Sequence, residues 1–319
     1  MKWTLKDGAW SSGVISFSEF PLIQAVEARG ALLEWNIDEP ERSRPRITIT
    51  DEDECDWLWE LIGEPAHVEF VQSAQNPNMR KAFNVAAQWN LETLLALRKL
   101  AHGQWLRDWW PTSAVDGVPK LSDEGLVREM NDVAMQVETI VDGYQFSRTE
   151  DTSVSLNRTR DNQAQSDYAL VAGTVQECAI TGPIFSGTSS PAWQGLPAHV
   201  VDATENPVQW HVEAAPNPVL DIQVLLADKQ SNGEGLEVRV LRGPEELAHG
   251  YLDKRGFASV PLGLTVAEVW LQDWTDVVVQ VGVDVNESQE VRNRIRAFAQ
   301  ERLRARDRLS FAEECVALY

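Results

Sequence analysis

The chain has 319 residues, and 43 % of them are hydrophobic, which is enough for two globular domains with cores of their own. Its formal net charge of -21 at pH 7 repels polyanions and argues against nucleic acids and anionic membranes as partners. The sequence holds no run of about twenty apolar residues, which excludes a transmembrane helix, and its first ten residues lack the apolar stretch of a secretory signal.

The first segments alternate short apolar runs with turn residues, a pattern that predicts strands. We expect strands at 14–20, 31–37 and 46–50. The acidic residues 51–54 then favour a helix start, because Asp51 is an acceptable N-cap and acidic side chains complement the positive end of a helix dipole. Residues 67–74 alternate again and predict another strand.

Two helices are predicted next, at 77–110 and from Ser122 to about 143, because apolar residues recur in both at steps of three or four. Pro111 ends the first helix, since proline disfavours helical geometry in the residue before it. A short bend separates the helices, so we expect them to pack as an antiparallel pair.

Three tryptophans end the first helix: Trp105, Trp109 and Trp110. Large aromatic side chains most often lie in a core, and that is the favoured interpretation of this cluster. The alternative is a partner-binding surface, because tryptophan is enriched among the residues that dominate interface energies. Exposure of more than about half of Trp109 would favour the partner-binding interpretation.

The polar residues 151–167 predict a linker between an N-terminal α+β domain, 1–150, and an antiparallel β-sandwich, 168–286. Short strand candidates separated by turn sequences are typical of a sandwich. They lie at 168–175, 198–203, 208–214, 220–227, 236–241, 246–252, 257–262, 267–273 and 276–285. We expect residues 181–197, rich in Gly, Ser and Pro, to form a loop.

The fragment LEVRVLRGPEELAHGYLDKRGFASVPL, residues 236–262, resembles the small bacterial sandwich modules of the carboxypeptidase regulatory-like or transthyretin-like type. In those modules a D-x-x-G turn joins a strand pair, and Asp253 to Gly256 matches it here. The resemblance covers under a tenth of the chain. It implies a non-catalytic sandwich.

The chain finishes with a predicted helix at about 288–318, within a C-terminal segment 287–319 that we expect to close the sandwich. Seven arginines and two acidic residues between 291 and 309 give this stretch a local charge of +5. They favour docking onto an acidic surface, either of this chain or of a partner, over phosphate binding. The candidate contact residues are Arg292, Arg296, Arg302 and Arg306.

Signatures of catalysis and cofactor binding are missing from the sequence. It has no nucleophile elbow, no phosphate-binding loop and no zinc spacing, and Cys55, Cys178 and Cys315 have no histidine nearby. We therefore predict no cofactor and no catalytic residue. The best metal or acid-base candidates are His199, Asp202 and His211, on neighbouring predicted strands.

These features favour a cytoplasmic, non-catalytic interaction or adaptor subunit of a bacterial multi-protein assembly. Two alternatives stay open. One is a hydrolase or metal-dependent enzyme with its site at the interdomain cleft. The other is a nucleic-acid-associated accessory factor that uses the arginine-rich helix.

Overall fold

The protein was analysed as a computed structural model that describes residues 1–13, 21–76, 82–141, 183–213, 217–305 and 310–311. Within these ranges six helices and 13 strands in three antiparallel sheets form an α+β fold, as predicted. The predicted strands at 14–20 and 168–175, the linker 151–167 and Arg306 lie outside the described residues. The boundary between the two predicted domains therefore stays a prediction.

A six-stranded antiparallel sheet forms the first layer, in the order β3-β4-β5-β2-β1-β6. Alternation explains its buried face: on β4, Ala31, Leu33 and Trp35 point inward. The strands predicted at 31–37 and 46–50 are confirmed as β4 and β5. The six strands are β1 Lys2–Lys6, β2 Ala9–Ser12, β3 Ile23–Ala28, β4 Ala31–Asn36, β5 Arg46–Ile49 and β6 Ala82–Asn84.

Four helices pack with this sheet: α1 Leu58–Ile62, α2 Glu64–Ala74, α3 Leu91–Trp109 and α4 Asp123–Ala134. The strand predicted at 67–74 is wrong, because these residues belong to α2. Its buried residues, Ala66 and Phe70, are four residues apart, a spacing that places both on one face of a helix. The alternation of residues 67–74 had suggested burial through one face of a strand instead.

The helix predicted at 77–110 is shorter than expected, because α3 begins only at Leu91. The side chain of Asn90 accepts hydrogen bonds from the backbone N–H groups of Glu92 and Thr93 and so caps the helix. Upstream, Phe83 lies on β6 and pairs with Trp3 on β1. A buried sheet position therefore accounts for an apolar residue that was counted into the helix period.

The helix start predicted at Asp51 is also wrong. The carboxylate of Asp51 accepts a hydrogen bond from the N–H of Asp53 at 3.0 Å, which forms a local turn, and α1 begins seven residues later, at Leu58. Farther along, the start at Ser122 is confirmed, since its side chain caps α4. Helix α4 ends at Ala134 and runs into a short 3₁₀ turn, Met135–Val137, and it packs against α3 where Met130 meets Gly103.

The second part of the described chain is a β-sandwich of a three-stranded sheet, β11-β10-β13, and a four-stranded sheet, β12-β9-β8-β7. Apolar residues on the facing sides of both sheets share one core, as the prediction of a sandwich requires. The strands are β7 Pro183–Ser189, β8 Val208–Glu213, β9 Val219–Val224, β10 Glu237–Arg242, β11 Glu245–Tyr251, β12 Phe257–Pro261 and β13 Val277–Val281.

Three predictions in this region are wrong. The loop expected at 181–197 contains β7 and a 3₁₀ turn, Trp193–Gly195. The strand expected at 267–273 is largely helix α5, Val266–Leu271, which starts with a complete capping box formed by Thr265 and Glu268. The stretch 198–203 is not a strand and makes only an isolated bridge between Val201 and Leu226.

The terminal helix α6 spans Gln289–Arg304 and is capped by Ser288 as predicted, but it ends earlier than the predicted 318, because Ala305 is in an extended conformation. It does not close the sandwich. Its buried residues Val291, Ile295 and Ala299, together with Phe311, join the core of the first part of the chain. None of the helices in the described ranges has the length and apolar character that a bilayer crossing requires.

Candidate functional site

The tryptophan cluster divides between core and surface. Trp105 and Trp110 are 3 % and 2 % exposed, and their indole N–H groups donate to the carbonyls of Pro21 at 2.7 Å and Pro119 at 2.8 Å. These two side chains are thus part of the packing. Trp109 is less than half exposed and packs against the first core, so it does not meet the exposure expected of a partner-binding surface, although it also lines an open cleft.

We name this space the seam cleft, because it lies between the end of α3 and the segment before β8. It has a volume of about 170 Å³. Its walls are mostly apolar and aromatic, with few polar groups, a composition typical of binding sites. They are formed by Asp108, Trp109, Trp110, Pro111, Thr112, Trp193, Leu196, Pro197, Ala198, His199, Val201 and Ala203.

His199, a predicted acid-base candidate, forms part of the cleft wall. Its Nε2 lies 2.6 Å from the carbonyl oxygen of Arg107 and must donate to it, while its Nδ1 lies 3.3 Å from Oγ1 of Thr112. Its backbone takes the left-handed conformation, with φ of 58°. Both ring nitrogens therefore contact the end of α3 and the residues after it, and the ring holds the two parts of the chain together.

Asp202, the second candidate, is fully buried at the same seam. Its carboxylate accepts from the backbone N–H groups of Ala114 and Thr204, both at 2.9 Å. The N–H of Ala203 donates to the carbonyl of Thr112 at 3.0 Å and adds a direct backbone link. Buried backbone donors need such partners, so Asp202 holds the seam together.

The arginine-rich helix packs against residues that line the cleft. Nε of Arg296 donates to the carbonyl of Ala203 at 2.6 Å, and its guanidinium stacks over the ring of Trp193, 5.2 Å from the centroid. Burial lowers the pKa of Arg296 below its ordinary value. Arg296 thus connects α6 to Ala203 and Trp193, which both line the cleft.

Two other predicted arginines, Arg292 and Arg302, are engaged within the chain as well. Nη1 of Arg292 lies 3.2 Å from Oε1 of Glu287, and the side chains of the pair are 9 % and 1 % exposed. Glu287 also accepts from the backbone N–H groups of Trp193 and Gln194. Arg302 is 8 % exposed and donates to Ser310 at 3.2 Å.

The sequence did not single out a second, polar cavity of about 320 Å³ beside α3 and α6. In it the Gln24 amide lies 2.8 Å from Nδ1 of His102, and buried Arg98 donates to the hydroxyl of Ser43 at 2.8 Å. Arg98 and His102 are four residues apart on α3, so their shared helix face was a readable signal. Polar residues among apolar neighbours on a helix indicate buried side chains that form hydrogen bonds.

The third metal candidate, His211, does not share a site with His199 and Asp202. It lies on β8 with Glu213, facing Asp221 on β9.

Scans of family models and searches of curated proteins and of solved structures find no match for this chain. Its function is therefore inferred from the site alone.

Proposed function

We propose that the protein is a non-catalytic interaction or adaptor subunit of a cytoplasmic bacterial multi-protein assembly, and that its seam cleft receives an apolar side chain of a protein partner. The observation that carries the proposal is the position of Trp109. It is the one tryptophan of the cluster that is not fully buried, and it lines an open cleft.

The composition of the cleft supports this function. Trp109, Trp193, Pro111 and Pro197 offer aromatic and proline surfaces of the kind that bind apolar or proline-rich segments. The polar groups of His199 are already engaged in the wall. Binding at this place therefore depends on apolar contact area, and tryptophan is enriched among the hot-spot residues of interfaces.

The cleft also has a rigid frame. Arg296, the Glu287–Arg292 pair and His199 fix the segments that carry its walls. A preorganised surface loses less conformational entropy when a partner binds, which favours affinity. This argument applies to a binding module without requiring chemistry at the site.

The alternatives have weaker support. His199 and Asp202 are engaged in holding the seam, which leaves them less suited to proton transfer in an interdomain hydrolase. Arg292, Arg296 and Arg302 make contacts within the chain, so fewer guanidinium groups are available for phosphates.

The test is affinity capture with the full-length chain and its Trp109→Ala variant. Truncation within α6 would remove core residues such as Ile295, so a point variant is the sharper probe. We expect a stoichiometric protein partner, and we expect Trp109→Ala to weaken its binding by about thirtyfold, the effect of a hot-spot residue.

The matched control is Trp59→Ala, since Trp59 is 51 % exposed on α1 and does not line the cleft. This variant should retain the partner. Recovery of the bare monomer, or equal losses in both variants, would contradict the proposed function.

A further inference from the structure

A histidine and two carboxylates converge on one face of the four-stranded sheet of the sandwich. The antiparallel register places His211 on β8 opposite Asp221 on β9, and Glu213 follows His211 by two positions, so it points to the same face. One ligand atom from each of the three side chains lies within 4.8 Å of the other two. All three side chains are half-buried.

This spacing suits a small cation. A point equidistant from three atoms at such separations lies within about 2.8 Å of each, and small rotations bring the ligands to the distances of about 2.0–2.2 Å that Zn²⁺ prefers. We propose that His211, Glu213 and Asp221 bind a divalent transition-metal ion, with water in its remaining coordination positions.

The charge balance of the site calls for a cation. Nε2 of His211 lies 3.5 Å from Oδ2 of Asp221, so these two ligand atoms are close enough to bind one ion. Over the described part of the chain, no lysine or arginine forms an ion pair with Glu213 or Asp221. Two neighbouring carboxylates repel each other, and a bound cation removes that repulsion.

The neighbours in the sheet leave room for the ion and its water. Ser186 on β7 pairs with His211, and Ser259 on β12 pairs with Asp221, so small side chains flank the site on both sides in the same cross-strand row. The mixed imidazole and carboxylate set favours zinc and its first-row neighbours over the softer Cu(I), which prefers thiolates and thioethers.

The experiment uses the full-length chain, stripped with a chelator and titrated calorimetrically with Zn²⁺. We expect one equivalent to bind. The variants His211→Ala and Glu213→Gln should each weaken binding about tenfold or more, because each removes a ligand. Co²⁺ gives a second readout, since its visible absorption reports coordination by the protein and should be lost in both variants.

The matched control is His249→Ala. His249 also pairs with a carboxylate, that of Glu246 at 3.1 Å, but it belongs to no cluster of three ligands among the described residues. This variant should bind Zn²⁺ like the unmodified chain. No Zn²⁺ binding up to about 1 mM, the weak end of useful affinities, would overturn the proposal. Binding that is unchanged in His211→Ala and Glu213→Gln would equally overturn it. Far-UV circular dichroism of each variant verifies that the fold is retained.

Discussion

The ion pair between Glu287 and Arg292 joins three segments of the chain, and its removal should cost stability. Replacing Glu287 by alanine leaves Arg292 buried without its carboxylate, and it takes the acceptor from the N–H groups of Trp193 and Gln194. Breaking a buried pair by removing one partner costs about 3–5 kcal/mol. We expect a loss of that size in the free energy of unfolding.

A double variant, Glu287→Leu with Arg292→Met, separates the causes of this loss. It removes the unpaired charge but still leaves two backbone donors without an acceptor, so we expect it to cost only about 1–3 kcal/mol. Urea denaturation followed by tryptophan fluorescence gives the free energies. Hydrogen exchange at Trp193 and Gln194 reports the local effect and should accelerate in both variants.

The matched control is Glu245→Ala. Glu245 pairs with Arg242 at the surface, where the two side chains are 58 % and 35 % exposed, and such pairs contribute at most about 1 kcal/mol. A cost for Glu287→Ala no larger than that of this control would refute the argument that burial of the pair determines its contribution.

Three further changes test the packing. Burial, aided by nearby carboxylates, raises the pKa of Cys55 from 9.0 to about 12. In a variant that lacks the other two cysteines, the Cys55 thiol of the folded protein should resist iodoacetamide at about pH 8.5, and it should react when the protein is unfolded. Since the folded pKa is the higher one, the stability that this thiol contributes is present below about pH 9 and is lost as the pH rises toward 12, which urea titrations across that range would detect. Gly103→Ala would place a Cβ 2.7 Å from Cγ of Met130 and 2.8 Å from a ring carbon of Phe311, and a loss of about 1–3 kcal/mol is expected in urea titrations. Asn90→Ala removes the cap of α3 and should cost about 1 kcal/mol by the same measurement, whereas an unchanged midpoint would contradict the capping role.

Local patterns predicted much of the fold correctly. Alternation identified β5, and the serine caps at Ser122 and Ser288 marked two helix starts, because these signals depend only on adjacent residues. The sandwich followed from strands of regular spacing with turn residues between them. These signals depend on a few neighbouring residues, so they can be read without knowledge of the tertiary contacts.

The wrong predictions arose where a pattern fits two structures. Phe83 suited the helical period of 77–110 but is buried through pairing with Trp3, which is 80 positions away in the sequence. Residues 67–74 alternate, yet the contact made by Phe70 within the core selects a helix. Long-range packing decided both cases, and a single sequence does not display it.

The site residues show the same limit. Trp105 and Trp109 share one helix face in sequence, but only the fold separates a core side chain from one that lines a cleft. His211 was recognised as a possible ligand, whereas its partners Glu213 and Asp221 required the register of β8 and β9. The chain has 49 acidic residues, and only the register shows which of them lie beside His211.

The packing of α6 has a consequence for synthesis of the protein. The first core uses residues up to Val141 and is completed by Val291, Ile295, Ala299 and Phe311, so the sandwich is inserted between two parts of one cooperative unit. At about 5–20 residues per second, the ribosome needs roughly 8–30 s to go from one part to the other. During that interval the nascent N-terminal segment exposes the groove that α6 will fill, and the completed sandwich brings the helix back to it. A chaperone that binds apolar grooves would therefore find its substrate in the nascent chain and lose it once α6 has docked.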